Sequence, residues 1–206
     1  MNVKVVERLY KEERLALHRR TRKKIPKGVR DGAWCPIAAN QRWSLDFTQD
    51  ALGNGRTFRT ANLKDDCTRE CPAIDVALSL PGSRVVEMLE RVARERGYPD
   101  VLTLDNGPEL RGRILDGWAH DNGVQLYFID PGKPTQNAYI ESFNGRFRDE
   151  CLNEHWFTSM AHAQVIIEAW RREYNEERPK KGLGGRTPAH SAKRLVTERS
   201  TVTVGL

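Results

Sequence analysis

Residues 42–63 read RWSLDFTQDALGNGRTFRTANL. Trp43–Thr48 and Arg56–Leu63 read as strands, and Gly53-Asn54-Gly55 between them as the turn of a hairpin. Asp46 falls in the middle of the first strand. A carboxylate on a core strand is costly unless it is paired or bound to a metal ion.

Working outward, Ala73–Leu80 reads as a third strand that ends at Pro81-Gly82-Ser83. Ser83 is the expected N-cap of a helix through Arg96, with Val85, Val86, Leu89 and Val92 as its apolar stripe. Val101–Leu104 is a short buried strand, residues 112–122 a helix and Gln125–Ile129 a fifth strand. After the loop Pro131-Gly132-Lys133-Pro134 come two helices, Asn137–Leu152 and Met160–Glu176. Three meandering strands followed by helix and strand in alternation imply an α/β fold, a mixed five-stranded sheet with helices on its faces. That is the layout of an RNase H-like domain. The core is expected over residues 40–176, between a basic N-terminal arm and linker (1–39) and a basic C-terminal tail (177–206).

The chain of 206 residues, 38% apolar and 30% charged, fits one soluble domain with appended segments. No apolar stretch approaches the roughly 20 residues that span a bilayer, and the first thirty residues are basic rather than signal-like. No membrane partner is expected, and four sparse cysteines fit a reduced, cytoplasmic setting. Charge is divided unevenly. Residues 1–30 hold eleven Lys or Arg against three Glu, residues 31–164 fourteen against twenty acids, and residues 165–206 nine against five. Residues 2–17 read as an amphipathic helix that leads into Arg19, Arg20, Arg22, Lys23 and Lys24. Basic ends suit a polyanion such as DNA, or are simply solvated tails. An acidic middle would repel the same polyanion unless its carboxylates hold divalent cations.

Three carboxylates fit that role. Asp46 is mid-strand, Asp105 ends the strand Val101–Leu104, and Glu141 lies in the first turns of the helix that begins near Asn137, with 35 residues between Asp105 and Glu141. At roughly 100° per residue, Asn137, Asn144 and Arg148 share the side of Glu141, while Ile140, Phe143, Phe147 and Cys151 form an adjoining apolar stripe. Convergent carboxylates repel, and a hard cation such as Mg²⁺ relieves that repulsion. Two such ions about 3.5–4 Å apart serve in-line phosphoryl transfer.

Trp43-x-x-Asp46-Phe47, Asp65-Asp66-Cys67-Thr68-Arg69-Glu70, Asp105-Asn106-Gly107-Pro108-Glu109 and the run from Pro131 to Gly145 resemble the catalytic part of bacterial transposases of the insertion sequence three family, relatives of retroviral integrases. The resemblance covers about residues 40–190. It implies an RNase H-like fold with Asp46, Asp105 and Glu141 as ligands of two Mg²⁺ or Mn²⁺ ions. It also implies cleavage of element ends and attack of the freed 3′-hydroxyl on target DNA. By the same resemblance Arg148 contacts DNA, with Asn106, Asn137 and Asn144 as polar supports; Asn137, Asn144 and the loop cation Lys133 are candidate DNA contacts as well. Self-association on DNA and a partner, the helix-turn-helix product of an upstream reading frame, are implied too, in a bacterial cytoplasm near the nucleoid. Arg148 could instead be a surface cation paired with Glu150 or Glu154.

The pattern is broken in two places. Its Arg-Pro-His motif stands here as Arg178-Pro179-Lys180, and its aromatic after Asp105-Asn106-Gly107-Pro108-Glu109 is Leu110. Cys67 and Cys71 have no partner pair at zinc-ligand spacing, so they read as packing residues and no zinc is expected. Asp65 and Asp66 are expected to be structural, and most of the five tryptophans to lie in the core. The rival functions are an RNase H-like nuclease and a non-catalytic DNA-binding regulator of transposition. The second would show a lost carboxylate, and none is lost.

Overall fold

The computed structural model describes residues 36–105, 107, 110, 112–130 and 137–203, with backbone alone for 196–203. The arm helix expected over residues 2–17 lies outside the described residues, as do Arg19, Arg20, Arg22, Lys23, Lys24, Asn106 and Lys133.

Strands β1 (Arg42–Ala51) and β2 (Thr57–Asp65) pair antiparallel from Trp43 opposite Asp65 to Ala51 opposite Thr57. Their turn closes through Leu52 N–H to the Arg56 carbonyl (2.9 Å) and Gly55 N–H to the Leu52 carbonyl (2.8 Å). Gly55 has φ +82°, a backbone that side chains disfavour. β3 (Ala73–Ala77) adds antiparallel to β2, and β4 (Val101–Leu104) and β5 (Gln125–Phe128) extend the other edge in parallel. The resulting order is β3-β2-β1-β4-β5. Helices α1 (Gly82–Arg96) and α2 (Arg113–Asp121) connect the parallel strands, and α3 (Ala138–Phe147) and α4 (Met160–Glu176) follow β5.

Side chains of a strand alternate between faces, and this alternation divides the interior into two cores. Trp43 and Leu45 of β1, Leu63 of β2 and Leu102 and Leu104 of β4 pack with Val85, Leu89 and Val92 of α1 and Leu115 of α2. On the other face Phe58 and Val76 meet Ile140, Phe143 and Phe147 of α3 and Ile167, Trp170 and Tyr174 of α4. Aromatic rings dominate this second core. Phe143 meets Tyr174 edge-on with centroids 4.9 Å apart, and Phe147 lies 5.0 Å from Trp170.

Several local expectations change. β3 stops at Ala77, the last residue with a partner on β2, and leaves Leu78 exposed. Ser83 does not cap α1. Pro81 occupies that position, its carbonyl accepting from Arg84 and Val85, so the helix starts a residue before Ser83. The helix expected to run from Asn137 to Leu152 is α-helical only to Phe147. A π turn over Arg148–Leu152 follows, with Asn153 N–H reaching the Arg148 carbonyl at 2.9 Å, and it keeps Cys151 and Leu152 buried. Much of the expected tail is folded, as a 3₁₀ turn (Lys181–Leu183) and α5 (Pro188–Thr203), which packs on α4.

Asp65 and Asp66 are both buried and both structural. Asp65 accepts the N–H groups of Asn40, Cys67 and Thr68, which closes the turn after β2, while Asp66 accepts from Arg42 Nε (2.6 Å) and Ser44 Oγ (2.8 Å). Cys71 is fully buried, and burial pushes its thiol up to about 12, as befits a packing residue. Trp43, Trp118 and Trp170 are in the core, but Trp156 is 74% exposed.

Candidate active site

Ser44, Asp46 and Thr48 alternate with Trp43, Leu45 and Phe47, so the interleaving of apolar residues turns Asp46 toward the face covered by α3. Asp46 Oδ1 accepts the N–H of Phe47 (2.8 Å), and Oδ2 accepts Asn144 Nδ2 from α3 (2.8 Å). The chain of bonds continues inward. Asn144 Oδ1 accepts Asn62 Nδ2 (2.8 Å), and Asn62 Oδ1 accepts the Thr60 hydroxyl (2.9 Å). The Thr48 and Thr60 hydroxyl oxygens are 2.6 Å apart. Thr60 has one proton and gives it to Asn62, so Thr48 is the donor in that last contact. Asn62 stands opposite Asp46 in the β1–β2 ladder, and Thr48, Thr60, Asn62 and Asn144 are all buried. Every link is satisfied, which makes the network a rigid seat for one carboxylate.

Asp105 arrives from the neighbouring strand. Leu45 is in register with Leu104, the last pair of the β1–β4 ladder, so Asp46 in the middle of β1 and Asp105 just past the end of β4 fall side by side. Gly107 N–H donates to Asp105 Oδ1 (3.0 Å) and turns the chain there. Glu141 precedes Asn144 by three residues on α3, which places both on one side of the helix. Burial raises the Asp46 carboxyl to about 6, and the nearby charges of Asp105 and Glu141 add to the rise. The Phe47 and Asn144 hydrogen bonds oppose it.

The three carboxylates thus feel one another without closing a ligand set. Among the described residues no three acidic, histidine or cysteine side chains stand close enough together to hold a metal ion. The donor chemistry still suits a hard cation, since all three groups offer carboxylate oxygen and each Asp46 oxygen keeps a second lone pair.

Other expected site residues are placed differently. Asn144, expected to contact DNA, is buried, and both ends of its amide are spent on Asp46 and Asn62. Its bonds are those of a positioning residue. Asn137 lies at the N-cap of α3, 3% exposed, and among the described residues its Oδ1 has no hydrogen-bond partner. Arg148 is exposed at the start of the π turn and forms no ion pair among the described residues. Glu150, its suggested mate, pairs with Arg178 instead. The sequence reading missed Thr60, Asn62 and Lys64. Their signal was present: polar residues at alternate positions of a strand whose other face is apolar. Lys64 Nζ donates to the Tyr139 carbonyl of α3 (2.7 Å), and burial pulls its ammonium down to about 7.

Comparison with known proteins decides the family. Residues 37–134 and 122–188 match two domain families, each described as an integrase core domain. A protein of insertion element IS407 from Burkholderia multivorans is 50% identical over 93% of this chain and 69% of its own length. The chain belongs to the integrase-core transposase family of insertion elements. A protein of insertion element IS476 from Xanthomonas euvesicatoria is 44% identical over 97% of this chain and 58% of its own length. This transposase core therefore spans roughly three fifths to two thirds of those relatives. The HTLV-2 integrase catalytic core domain, solved in complex with magnesium in a trimeric form, superposes with a TM-score of 0.62. It is 12% identical and covers 76% of this chain and 98% of that one, a likeness of fold. The RNase H-like α/β layout read from the element order is the fold observed. None of the described helices is long and apolar enough to cross a membrane.

Proposed function

We propose that this chain carries out the DNA cleavage and strand transfer of an insertion element, with Asp46, Asp105 and Glu141 as the catalytic residues. The observation that carries the reading is the seating of Asp46. A half-buried carboxylate fixed by Asn144 and raised to about 6 beside two further carboxylates is a costly arrangement, and such arrangements are concentrated at functional sites. The three carboxylates would hold two Mg²⁺ or Mn²⁺ ions. Bound there, the ions supply activation of the attacking oxygen and charge stabilisation at the leaving oxygen of an in-line displacement.

The chain's own residues supply position. Asn144 fixes the Asp46 carboxylate in one orientation, and Asn62 and Thr60 fix Asn144. Arg148, exposed on the side of α3 that carries Glu141, offers a permanently charged planar donor to a DNA phosphate. Asn106 and Asn137 join this proposed DNA contact by resemblance and Lys133 by its charge, and the basic residues Arg19, Arg20, Arg22, Lys23 and Lys24 are proposed to contact DNA phosphates by charge alone. DNA is the substrate, and assembly of several copies on it, with a helix-turn-helix partner that reads sequence, completes the proposal.

Strand transfer of a pre-cut oligonucleotide end with Mn²⁺ tests it. Asp46→Asn should lower the rate at least about 10³-fold, roughly 4 kcal/mol of transition-state stabilisation, while circular dichroism shows an intact fold. Full activity of Asp46→Asn would remove Asp46 from the chemistry. Cutting with no joining by the wild type would favour the nuclease reading.

A further inference from the structure

On the side of α3 away from Asp46, a cavity of about 290 Å³ opens between the end of β2, α3 and the segment Pro179–Gly182. Among the described residues five cations line it, Lys64, Arg69, Arg146, Lys180 and Lys181, and no carboxylate does. Gathering like charges around one hollow is unfavourable unless an anion shares them.

Three of these cations are held in place by contacts that form no ion pair. Arg69 has φ +64°, fixed by its N–H donating to the Asp65 carbonyl (2.9 Å). Its guanidinium lies 3.5 Å from the centre of the Tyr139 ring, and among the described residues its buried Nη1 has no hydrogen-bond partner. Lys64, 4% exposed, spends one proton on the Tyr139 carbonyl and keeps two. Lys180 sits 3.8 Å over the Tyr174 ring, and burial together with Arg146 and Arg178 pulls its ammonium down to about 8. Among the described residues, Arg69, Arg146, Lys180 and Lys181 form no ion pair. Arg178 next door shows the contrast, because Glu150 and Glu173 both pair with it. Lys180 also occupies the place where the family pattern has a histidine, so this chain puts a stronger base at the cavity wall.

We propose that this cavity is a phosphate subsite that takes one backbone phosphate of a DNA strand. The proposal rests on the DNA-processing reading above and adds a second DNA contact. Tyr139, Ser142 and Arg146 line the cavity, whereas Glu141 and Asn144 face Asp46. At about 100° per residue, Arg146 is roughly 140° round the helix from Glu141. Helix α3 would then be held between DNA on one side and the carboxylates on the other.

The test uses the full chain. Arg146 and Lys181 are exposed, so Arg146→Gln with Lys181→Gln removes two charges without opening the core. Arg91→Gln with Arg94→Gln, also exposed, removes the same charge from α1. Affinity for a short duplex is read by fluorescence anisotropy across a salt series. The cavity pair should weaken binding about tenfold relative to the α1 pair and lower the slope of log K against log salt by about 0.9, the loss of one phosphate contact. Arg146→Lys with Lys181→Arg should restore both. Equal affinity and slope in the two glutamine pairs would overturn the subsite. Absence of DNA binding by the wild type would instead overturn the DNA-processing reading and the subsite with it. Inorganic phosphate serves as the second probe. If millimolar phosphate raises the melting temperature of the wild type but not of the cavity pair, while DNA binding is the same in both, the cavity is a free-anion site and the DNA assignment fails.

Discussion

The two faces of the sheet share one backbone and differ in chemistry. The face under α1 and α2 is apolar, with Leu45, Leu63, Leu102 and Leu104 fully buried against Val85, Met88 and Leu89. The face under α3 and α4 carries an aromatic core at one end and, across its centre, a polar seam of Thr48, Thr60, Asn62 and Asn144 that ends on Asp46. Burying that seam is tolerable because each polar group has a partner; leaving one unpaired would cost about 1–3 kcal/mol. The contrast teaches that α1 and α2 are fastened by volume, whereas α3 is fastened by direction. Helix α3 is the element whose angle the proposed chemistry depends on.

The comparison can be broken most directly on the apolar face. Leu63→Ala should cost about 2–5 kcal/mol in urea denaturation, through lost burial and the cavity left behind, while strand-transfer activity per folded molecule holds. A loss of specific activity matching that of Asp46→Asn would show the two faces to be coupled.

Asp46 supplies the next effect, through pH. Its carboxyl is raised to about 6, above the 3.8 of the unfolded chain, so its protonated form favours the fold. That contribution is full below about pH 4 and is lost as pH rises through 6, at most about 3 kcal/mol. Melting temperature in a chelator-containing buffer should therefore fall between pH 4.5 and 7, and Asp46→Asn should flatten the fall. Parallel pH profiles for the two proteins would count against charge crowding at the site.

A smaller effect sharpens the picture of the seam. Asn62→Ala leaves the Asn144 carbonyl and the Thr60 hydroxyl without their partner and should cost about 1–3 kcal/mol. It should also lower strand-transfer rate at saturating Mn²⁺, with Asn62→Gln recovering less than full rate because the longer arm misplaces the amide. An unchanged rate in Asn62→Ala would make the seam purely structural.

How legible was all this in the sequence? The three-strand meander, the alternation of helix and strand after it and the position of α4 followed from runs of apolar residues and their punctuation. Asp46, Asp105 and Glu141 stood out as carboxylates at the ends or middle of apolar elements. Asn62 and Lys64 did not, because a polar side chain on a strand is ordinary unless the face it meets is known to be buried. The π turn at Arg148 was equally hidden, since its residues are compatible with a continued helix. The folded segment after Arg178 read as a tail because its Gly, Lys and Arg content signals a solvated loop, and only packing of α5 on α4 overrides that.

By itself the sequence determined which residues could form strands and helices, and which carboxylates were available to meet. Local spacing is enough for that, since hydrophobic periodicity and turn chemistry act over a few residues. The tertiary structure decided which groups touch. The register of β1 on β4 brings Asp105 beside Asp46, the alternation of β2 aims Asn62 and Lys64 at α3, and the return of the chain after Pro179 gathers Lys180 and Lys181 with Arg69 and Arg146. Asp46 and Asp105 are 59 positions apart, Asn62 and Asn144 82, and Arg69 and Lys181 112. No local rule specifies such contacts, because they depend on how whole elements pack once their apolar faces have been buried.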